Sequence, residues 1–167
     1  MKSNTKKIAF LGLCTAIAMI FAYVEILLPP LWSAVPGIKM GLPNIVIIFL
    51  LYRFSFKDAA LVSLVRLIAV ALLFGNTMTF VYSFAGAVFS LGIMVTLKKV
   101  DCFSMVGVSI AGGIFHNLGQ ILMAMFLLET AQIGYYMIVL TVTGTVAGIF
   151  VGLVGSFVMK ILHKLKF

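Results

Sequence analysis

The feature that most constrains the fold of this chain is a series of long apolar runs in which apolar and polar residues do not alternate. The first run extends from Ile8 to Leu28 and contains a single charged residue, Glu25. A membrane-spanning helix needs about 20 mostly apolar residues, whereas the strands of a membrane barrel alternate over about ten. The runs therefore predict membrane helices. Charged residues make up only 10% of the chain, against about a quarter in soluble domains, which excludes a water-soluble globule.

The breaks between the runs predict six helices in one domain. Pro29 and Pro30 end the first helix, because proline interrupts helical hydrogen bonding. Residues 29–43 are punctuated by Pro and Gly yet remain apolar, so we expect an external loop that folds back over the bundle as a lid. We predict an all-α integral membrane protein, a six-transmembrane-helix bundle over residues 1–167, with helices at about 8–28, 44–52, 59–74, 80–97, 104–128 and 134–162.

The distribution of positive charge predicts the orientation of the bundle. The chain has 12 Lys and Arg against 4 Asp and Glu, a net charge of +8. If both termini are cytoplasmic, ten of the 12 cations lie on the cytoplasmic side, as the positive-inside rule requires: Lys2, Lys6, Lys7, Arg53, Lys57, Lys98, Lys99, Lys160, Lys164 and Lys166. We therefore expect a multi-pass protein of the cell membrane. The lipid bilayer accounts for the charge without a nucleic-acid partner.

Polar residues inside the predicted spans are the first candidates for function. Arg66 lies seven residues after Ala59 and eight before Phe74, close to the middle of the third helix. A charge at that depth costs at least about 2.5 to 3.5 kcal/mol, so it usually faces the bundle interior or a cavity. It acts either as a clamp between helices or as a ligand-binding or coupling group. On the fifth helix, His116 and Gln120 are four residues apart and share a broad face with Asn117.

Other polar residues from separate segments fall in the same outer half of the membrane. Together with Arg66 and the fifth helix they outline a candidate ligand pocket formed by Glu25, Lys39, Asn44, Arg66, Asn76, His116, Asn117 and Gln120. With His116 neutral, this set carries one surplus positive charge. The pocket therefore favours a small anion or an amphipathic molecule with an anionic group. The alternative use of each polar residue is pairing with a neighbouring helix.

Small residues spaced by four predict close contacts between helices. Gly144, Gly148 and Gly152 form overlapping G-x-x-x-G units on the sixth helix, for which we expect packing within the bundle. On the first helix, Gly12 and Ala16 occupy one face, while Ala18 and Ala22 lie on nearly the opposite face. Either pair is a candidate surface for docking a partner, and packing within the bundle or contact with lipid is the alternative.

The segments PGIKMGLPNI, FSFKDAALVSLVRLIAVALLFGN and GGIFHNLGQ resemble the Gx transporter family, also called heptaprenyl diphosphate synthase component I. This family is similar to the S components of energy-coupling factor (ECF) vitamin transporters. The resemblance implies an S-component-like bundle that holds one small molecule near its outer face under the first loop. It also implies that small residues spaced by four on the first helix meet a transmembrane coupling protein, which two cytoplasmic ATPases drive. Gly12 and Ala16 are a Gly variant of that pattern, and Ala18 and Ala22 match it literally.

The chemistry of the sequence argues against an enzyme. Prenyl diphosphate synthases need aspartate-rich clusters, because magnesium must neutralise the diphosphate leaving group, and Asp58 and Asp101 are isolated in this chain. The sequence also has no phosphate-binding G-x-x-x-x-G-K-[ST] loop. We therefore expect no catalytic activity, no cofactor and no metal, and an energy source outside the chain.

Three functions remain open at this stage. The first is a substrate-binding membrane component of an ECF-type uptake transporter for a small vitamin-like molecule. The second is a self-sufficient secondary transporter with a relay of Glu25, Arg66 and His116, which broken half-helices and inverted repeats would favour. The third is a non-catalytic membrane scaffold in a prenyl, quinone or flavin-linked electron-transfer pathway.

Overall fold

The described part of the chain is helical, without strands. The computed structural model describes residues 2–27, 41–75, 77–100 and 102–164, with their side chains except at 2–4 and 163. The helices are α1 (Lys2–Leu27), α2 (Pro43–Arg53), α3 (Phe56–Phe74), α4 (Thr77–Val100), α5 (Met105–Leu128) and α6 (Met137–Lys164). A 3₁₀ helix, Ala131–Tyr136, precedes α6. The all-helical prediction is confirmed.

Helix starts follow local sequence signals. Ser55 caps α3, because its hydroxyl accepts a hydrogen bond from the Asp58 backbone N–H at 3.3 Å. Ser104 caps α5 in the same way, accepting from the Gly107 N–H at 3.2 Å. Helices α1 to α4 begin before the predicted apolar segments, mostly because their first residues are polar, whereas α5 begins one residue after its predicted start and ends where predicted, at Leu128. The sixth helix differs more, since the 3₁₀ turn occupies the predicted start at Gly134.

The helices form a closed ring in the spatial order α1, α2, α6, α5, α4, α3, in which α2 also contacts α3. Gly113 on α5 lies against Gly144 on α6, and Ile110, nearer the amino end of α5, lies against Gly148, further along α6, so α5 and α6 are antiparallel. α4 and α5 are antiparallel as well, since Gly86 meets His116 whereas Met94 meets Gly112. Consecutive helices therefore pass back and forth through the bundle at these interfaces.

The short helix α2 is buried over most of its length, up to its exposed last residue, Arg53. Residues 45–51 form an uninterrupted buried apolar stretch, as expected for a helix that is apolar all round. A charged side chain binds each end. The Glu25 carboxylate accepts backbone hydrogen bonds from Gly41 and Leu42 before the first turn, and the Lys98 ammonium donates to the carbonyl oxygen of Leu51 in the last turn. These signs complement the helix dipole, which is positive at the amino end and negative at the carboxyl end.

Glycine brings α5 and α6 into backbone contact. A Cβ added to Gly113 would lie 2.3 Å from the carbonyl oxygen of Gly144, and one added to Gly148 would lie 2.5 Å from the Cα of Ile110. Gly152 faces Val106 at a similar distance. The G-x-x-x-G stripe thus packs inside the bundle, which confirms the use predicted for it.

Within the described ranges, four helical segments are long and apolar enough to cross a membrane: Thr5–Leu27, Thr77–Val100, Met105–Leu128 and Ala131–Leu162. α2 has only 11 residues, and α3 carries three charges, Lys57, Asp58 and Arg66, within its 19 residues. The chain is therefore a membrane protein by the length and composition of its helices. The six-span count and the cytoplasmic termini stay predictions.

Candidate functional site

A cavity of about 80 Å³ lies between the first five helices. Its walls include six of the eight predicted pocket residues: Glu25, Asn44, Arg66, His116, Asn117 and Gln120. Lys39 and Asn76 lie outside the described residues. The polar groups that the sequence scatters over α1, α2, α3 and α5 thus border one space.

Glu25 reaches the cavity from the carboxyl-terminal part of α1 and is held by the backbone. Its Oε1 accepts hydrogen bonds from the N–H groups of Gly41 and Leu42, the latter at 3.4 Å. Gly41 has a positive φ of 72°, which glycine adopts without steric cost, and the turn that it makes leads directly into α2. Glu25 therefore has a structural role at the amino end of α2 in addition to its place in the cavity wall.

Arg66 supplies the formal positive charge among the described residues of the cavity wall. Its residue is 8% exposed, and its Nε is buried with no hydrogen-bond partner among the described residues. The negative charge of Glu25 acts on it electrostatically. A guanidinium carries five N–H donors and desolvating it is costly, so an incompletely hydrogen-bonded arginine in a cavity wall is suited to bind an anionic group.

The α5 wall is brought close to α4 by two glycines. A Cβ on Gly86 would lie 2.8 Å from the carbonyl oxygen of His116 and 2.9 Å from the Cγ of Gln120, and one on Gly119 would lie 2.8 Å from the carbonyl oxygen of Ala85. Small residues in this interface therefore leave the space that the His116 and Gln120 side chains occupy.

Asn117 connects the cavity wall to α6. Its Nδ2 donates a hydrogen bond of 2.7 Å to the carbonyl oxygen of Leu140, which orients the amide because the two ends of an amide have different hydrogen-bonding roles. Part of this side chain is thus used for helix packing, the alternative weighed for each polar residue in the sequence. Asn117 also lines the cavity, so the same side chain contributes to helix packing and to the cavity wall.

Sequence reasoning missed the contribution of α4. Thr79, Phe80 and Ser83 line the cavity, and they follow Asn76, the pocket residue predicted in this region. Thr79 and Ser83 are four residues apart and Gly86 follows three later, which places all three on one helix face. That spacing is the signal that would have found them. On α3, Leu67 and Val70 add an apolar wall next to Arg66.

A second, smaller cavity of about 20 Å³ lies between α2, α4, α5 and α6. Gly41 and Asn44 border both cavities. Ser90 and Ser109, both buried, line the smaller one. The volume is sufficient for one or two water molecules, since a single water needs about 10 to 15 Å³.

The structure separates the two predicted docking pairs on α1. Ala18 and Ala22 are 0% and 7% exposed, and Ala22 lines the cavity, so these two residues offer no surface to a partner. They pack inside because their face of α1 points toward the bundle. Gly12 and Ala16 are exposed, and nothing lies within 4 Å of a Cβ added to Gly12. Of the two predicted pairs, Gly12 and Ala16 form the one with an exposed surface.

The far end of α1 is joined to α3 by an ion pair away from the cavity. The Lys7 Nζ lies 2.8 Å from Oδ1 of Asp58, and the Ser55 hydroxyl donates to Oδ2 at 2.6 Å. The hydrogen bond from Lys7, followed by that from Ser55, lowers the pKa of Asp58 below its ordinary value. Asp58 precedes the predicted span at 59–74, so this pair ties the polar ends of two helices together.

The comparison with known families is consistent with the motifs that the sequence displays. A family model described as Heptaprenyl diphosphate synthase component I matches residues 14–158, well over half of the 167 residues. The chain belongs to this family. The resemblance noted in the sequence is thereby confirmed, and the region matched to the heptaprenyl diphosphate synthase component I family contains all eight predicted pocket residues, whereas Gly12 precedes it. No curated protein and no solved structure matches the chain.

Proposed function

We propose that this member of the heptaprenyl diphosphate synthase component I family is the substrate-binding membrane component of an ECF-type uptake transporter. In this proposal the chain crosses the membrane six times with both termini in the cytoplasm, and the cavity between the first five helices opens toward the exterior. The observation that carries the proposal is the shared cavity of Glu25, Asn44, Arg66, His116, Asn117 and Gln120. A scaffold or an anchor does not need a buried arginine beside a cavity, and an arginine in that position is expensive.

The energy for transport comes from partners. The sequence has no phosphate-binding loop of its own, and the exposed pair Gly12 and Ala16 gives a transmembrane coupling protein a flat surface on α1, since small residues allow close approach of helices. Two cytoplasmic ATPases complete the assembly. The chain itself is proposed to have no catalytic activity and to need no cofactor, because its four acidic residues, at 25, 58, 101 and 129, form no aspartate-rich motif.

Retention of a small molecule by the purified protein tests the binding role. We expect mass spectrometry to find one molecule retained by the wild-type chain. Arg66→Gln should bind it at least about tenfold more weakly, which corresponds to about 1.4 kcal/mol of binding free energy. The matched control is Arg53→Gln, since Arg53 is the other arginine of the chain and lies exposed at the end of α2. Equal retention by Arg66→Gln, or no retained molecule in the wild type, would contradict the proposal.

A second pair of variants tests docking. Gly12 and Gly92 are both exposed helix glycines with nothing within 4 Å of an added Cβ. Gly12→Leu should abolish co-purification with a transmembrane partner and two ATPases while leaving the fold intact. Gly92→Leu should leave the assembly unchanged. If both variants co-purify equally with the same partners, the α1 face is not the docking surface.

The family description favours one other function, a non-catalytic scaffold in a prenyl or quinone pathway. The same mass-spectrometric measurement separates it from the first. A polyprenyl lipid or quinone that is retained by the wild type and also by Arg66→Gln would favour the scaffold, because an uncharged apolar chain gains nothing from the guanidinium. The secondary-transporter alternative gains no support from broken helices, since the described α-helices are continuous.

A further inference from the structure

The two charged side chains in the described cavity wall, Glu25 and Arg66, differ in how far they are hydrogen-bonded. Glu25 supplies the negative charge, and its carboxylate already accepts hydrogen bonds from the Gly41 and Leu42 N–H groups at the amino end of α2. Arg66 supplies the positive charge, and its Nε is buried without a hydrogen-bond partner among the residues that the structure describes. Of these two charged groups, the guanidinium of Arg66 therefore has an N–H donor left to bind a ligand.

The geometry and charge of the guanidinium limit which ligand groups can accept its hydrogen bonds. Its planar fork presents parallel N–H groups that match the two oxygens of a carboxylate. A phosphate dianion would bring two negative charges to a wall whose described residues offer one formal cation, Arg66, and keep the carboxylate of Glu25 within electrostatic range of it. Like charges brought close together at low dielectric are unfavourable. One negative charge on a planar group fits the wall better than two.

We propose that the cavity binds its ligand through a single carboxylate group that accepts hydrogen bonds from the guanidinium of Arg66. This inference rests on the proposed function and names the ligand class, a monocarboxylate. Val70 and Phe80 line the cavity beside the arginine and give the adjoining carbon atoms an apolar surface. Gln120 and Asn44 line the same space and offer amides to further polar atoms of the ligand.

The size of the cavity limits the part of the ligand that it encloses. Its volume is about 80 Å³, and a cavity of about 150 Å³ holds benzene. The space between the described residues therefore takes the carboxylate and a few carbon atoms. Propionate is a suitable probe for that head group, and benzoate tests whether a larger body is excluded.

The experiment compares each acid with its own amide, which has nearly the same shape without the charge. The full chain in lipid nanodiscs is titrated with propionate, propionamide, benzoate, benzamide and inorganic phosphate, at constant ionic strength, with thermal unfolding as the measurement. We expect propionate to raise the unfolding temperature at concentrations at least about tenfold below those that propionamide needs. Phosphate should have no greater effect than sodium chloride, which is titrated as the control for a simple anion.

Arginine variants locate the effect. Arg66→Gln should remove the preference for propionate over propionamide, Arg66→Lys should retain part of it because the charge remains without the fork, and Arg53→Gln should retain all of it. Equal shifts by acid and amide, a preference that survives Arg66→Gln, a stronger effect of phosphate, or no shift by either acid would each overturn the proposal. The wild-type comparison decides the matter even if Arg66→Gln does not fold.

Failure of this inference is distinguishable from failure of the proposed function. A neutral molecule that is retained by the wild type and lost in Arg66→Gln would leave the uptake function standing and refute the carboxylate. Conversely, a carboxylate preference in the nanodisc titration, without any retained molecule or uptake in cells, would support the chemistry of the site and refute the transport role.

Discussion

Helix α5 uses its two sides in opposite ways. On the side of α6, Gly113 lies so close to Gly144 that the two backbones touch, and an added Cβ would be 2.3 Å from a carbonyl oxygen. On the side of the cavity, His116 and Gln120 project long polar side chains into a space of about 80 Å³. The first side has no room for a methyl group, whereas the second keeps volume open around polar atoms.

This difference shows how an apolar chain obtains both rigidity and a binding site from one helix. In a membrane there is little hydrophobic drive between helices, so close packing of small residues supplies much of the association. The glycine side therefore holds α5 in place, and the polar side borders a cavity whose wall includes Arg66 of α3, with its Nε lacking a hydrogen-bond partner among the described residues. Changes on the glycine side should affect stability most, and changes around the cavity should affect stability less and binding more.

The largest effect is expected at the contact with α6. Gly113→Ala places a methyl group against the Gly144 backbone, which must move, and the free energy of unfolding should fall by about 3 kcal/mol. Unfolding in mixed micelles, followed by far-ultraviolet circular dichroism, measures it. Gly92→Ala is the control, since nothing lies within 4 Å of its added Cβ, and it should gain about 0.5 to 1 kcal/mol. Equal values for the two variants would remove the distinction between the two sides of α5.

The next effect concerns the amino end of α2. Glu25→Gln removes the charge from the group that accepts the Gly41 and Leu42 hydrogen bonds, and hydrogen bonds to charged groups contribute about 1.5 to 3 kcal/mol. We expect a loss of about 2 kcal/mol in the free energy of unfolding. Glu129→Gln, at an exposed position after α5, should change it by less than about 0.5 kcal/mol. A loss of similar size in both variants would argue against a specific role for Glu25.

A smaller effect tests the electrostatic link within the cavity. Glu25→Gln leaves Arg66 without the negative charge that acts on it. Adding Arg66→Met to that variant removes the positive charge that was left without its partner. It should restore about 1 kcal/mol of the free energy of unfolding, because a lone buried charge is more destabilising than no charge. A double-mutant cycle on the same micelle assay gives the coupling. Strictly additive effects would show that the two charges do not interact.

The smallest effect lies at the other end of α1. The hydrogen bonds from Lys7 and Ser55 lower the pKa of Asp58 from its ordinary value of 3.8. Since the folded pKa is the lower one, the pair stabilises the fold above that ordinary value, and the contribution disappears as the pH falls below it through the folded pKa. Asp58→Asn should cost no more than about 1 kcal/mol near neutral pH. The difference between the variant and the wild type should shrink below about pH 4, and a difference that stays constant with pH would assign it to packing.

The cavity was partly predictable because polar and charged residues are energetically costly inside a membrane, and each one can be recognised singly in an apolar sequence. Arg66, His116, Asn117 and Gln120 stand out in apolar runs, and depth estimates place them at similar levels. Thr79 was not recognised, since threonine is tolerated in a membrane helix, where its hydroxyl can bond to the preceding turn. The spacing of Thr79, Ser83 and Gly86 groups them on one face of α4, but only the structure shows that this face meets the cavity and α5.

The sequence by itself determined that this is a membrane protein made of helices, roughly where each helix begins and ends, and which polar residues need a special environment. These properties follow from local chemistry, because apolar length, proline and capping residues act within a few positions. Only the tertiary structure decided that Ala18 and Ala22 are buried while Gly12 and Ala16 are exposed, and that Glu25 holds the start of α2. Those outcomes depend on how a helix is rotated against its neighbours, which is set by packing between residues far apart in the chain.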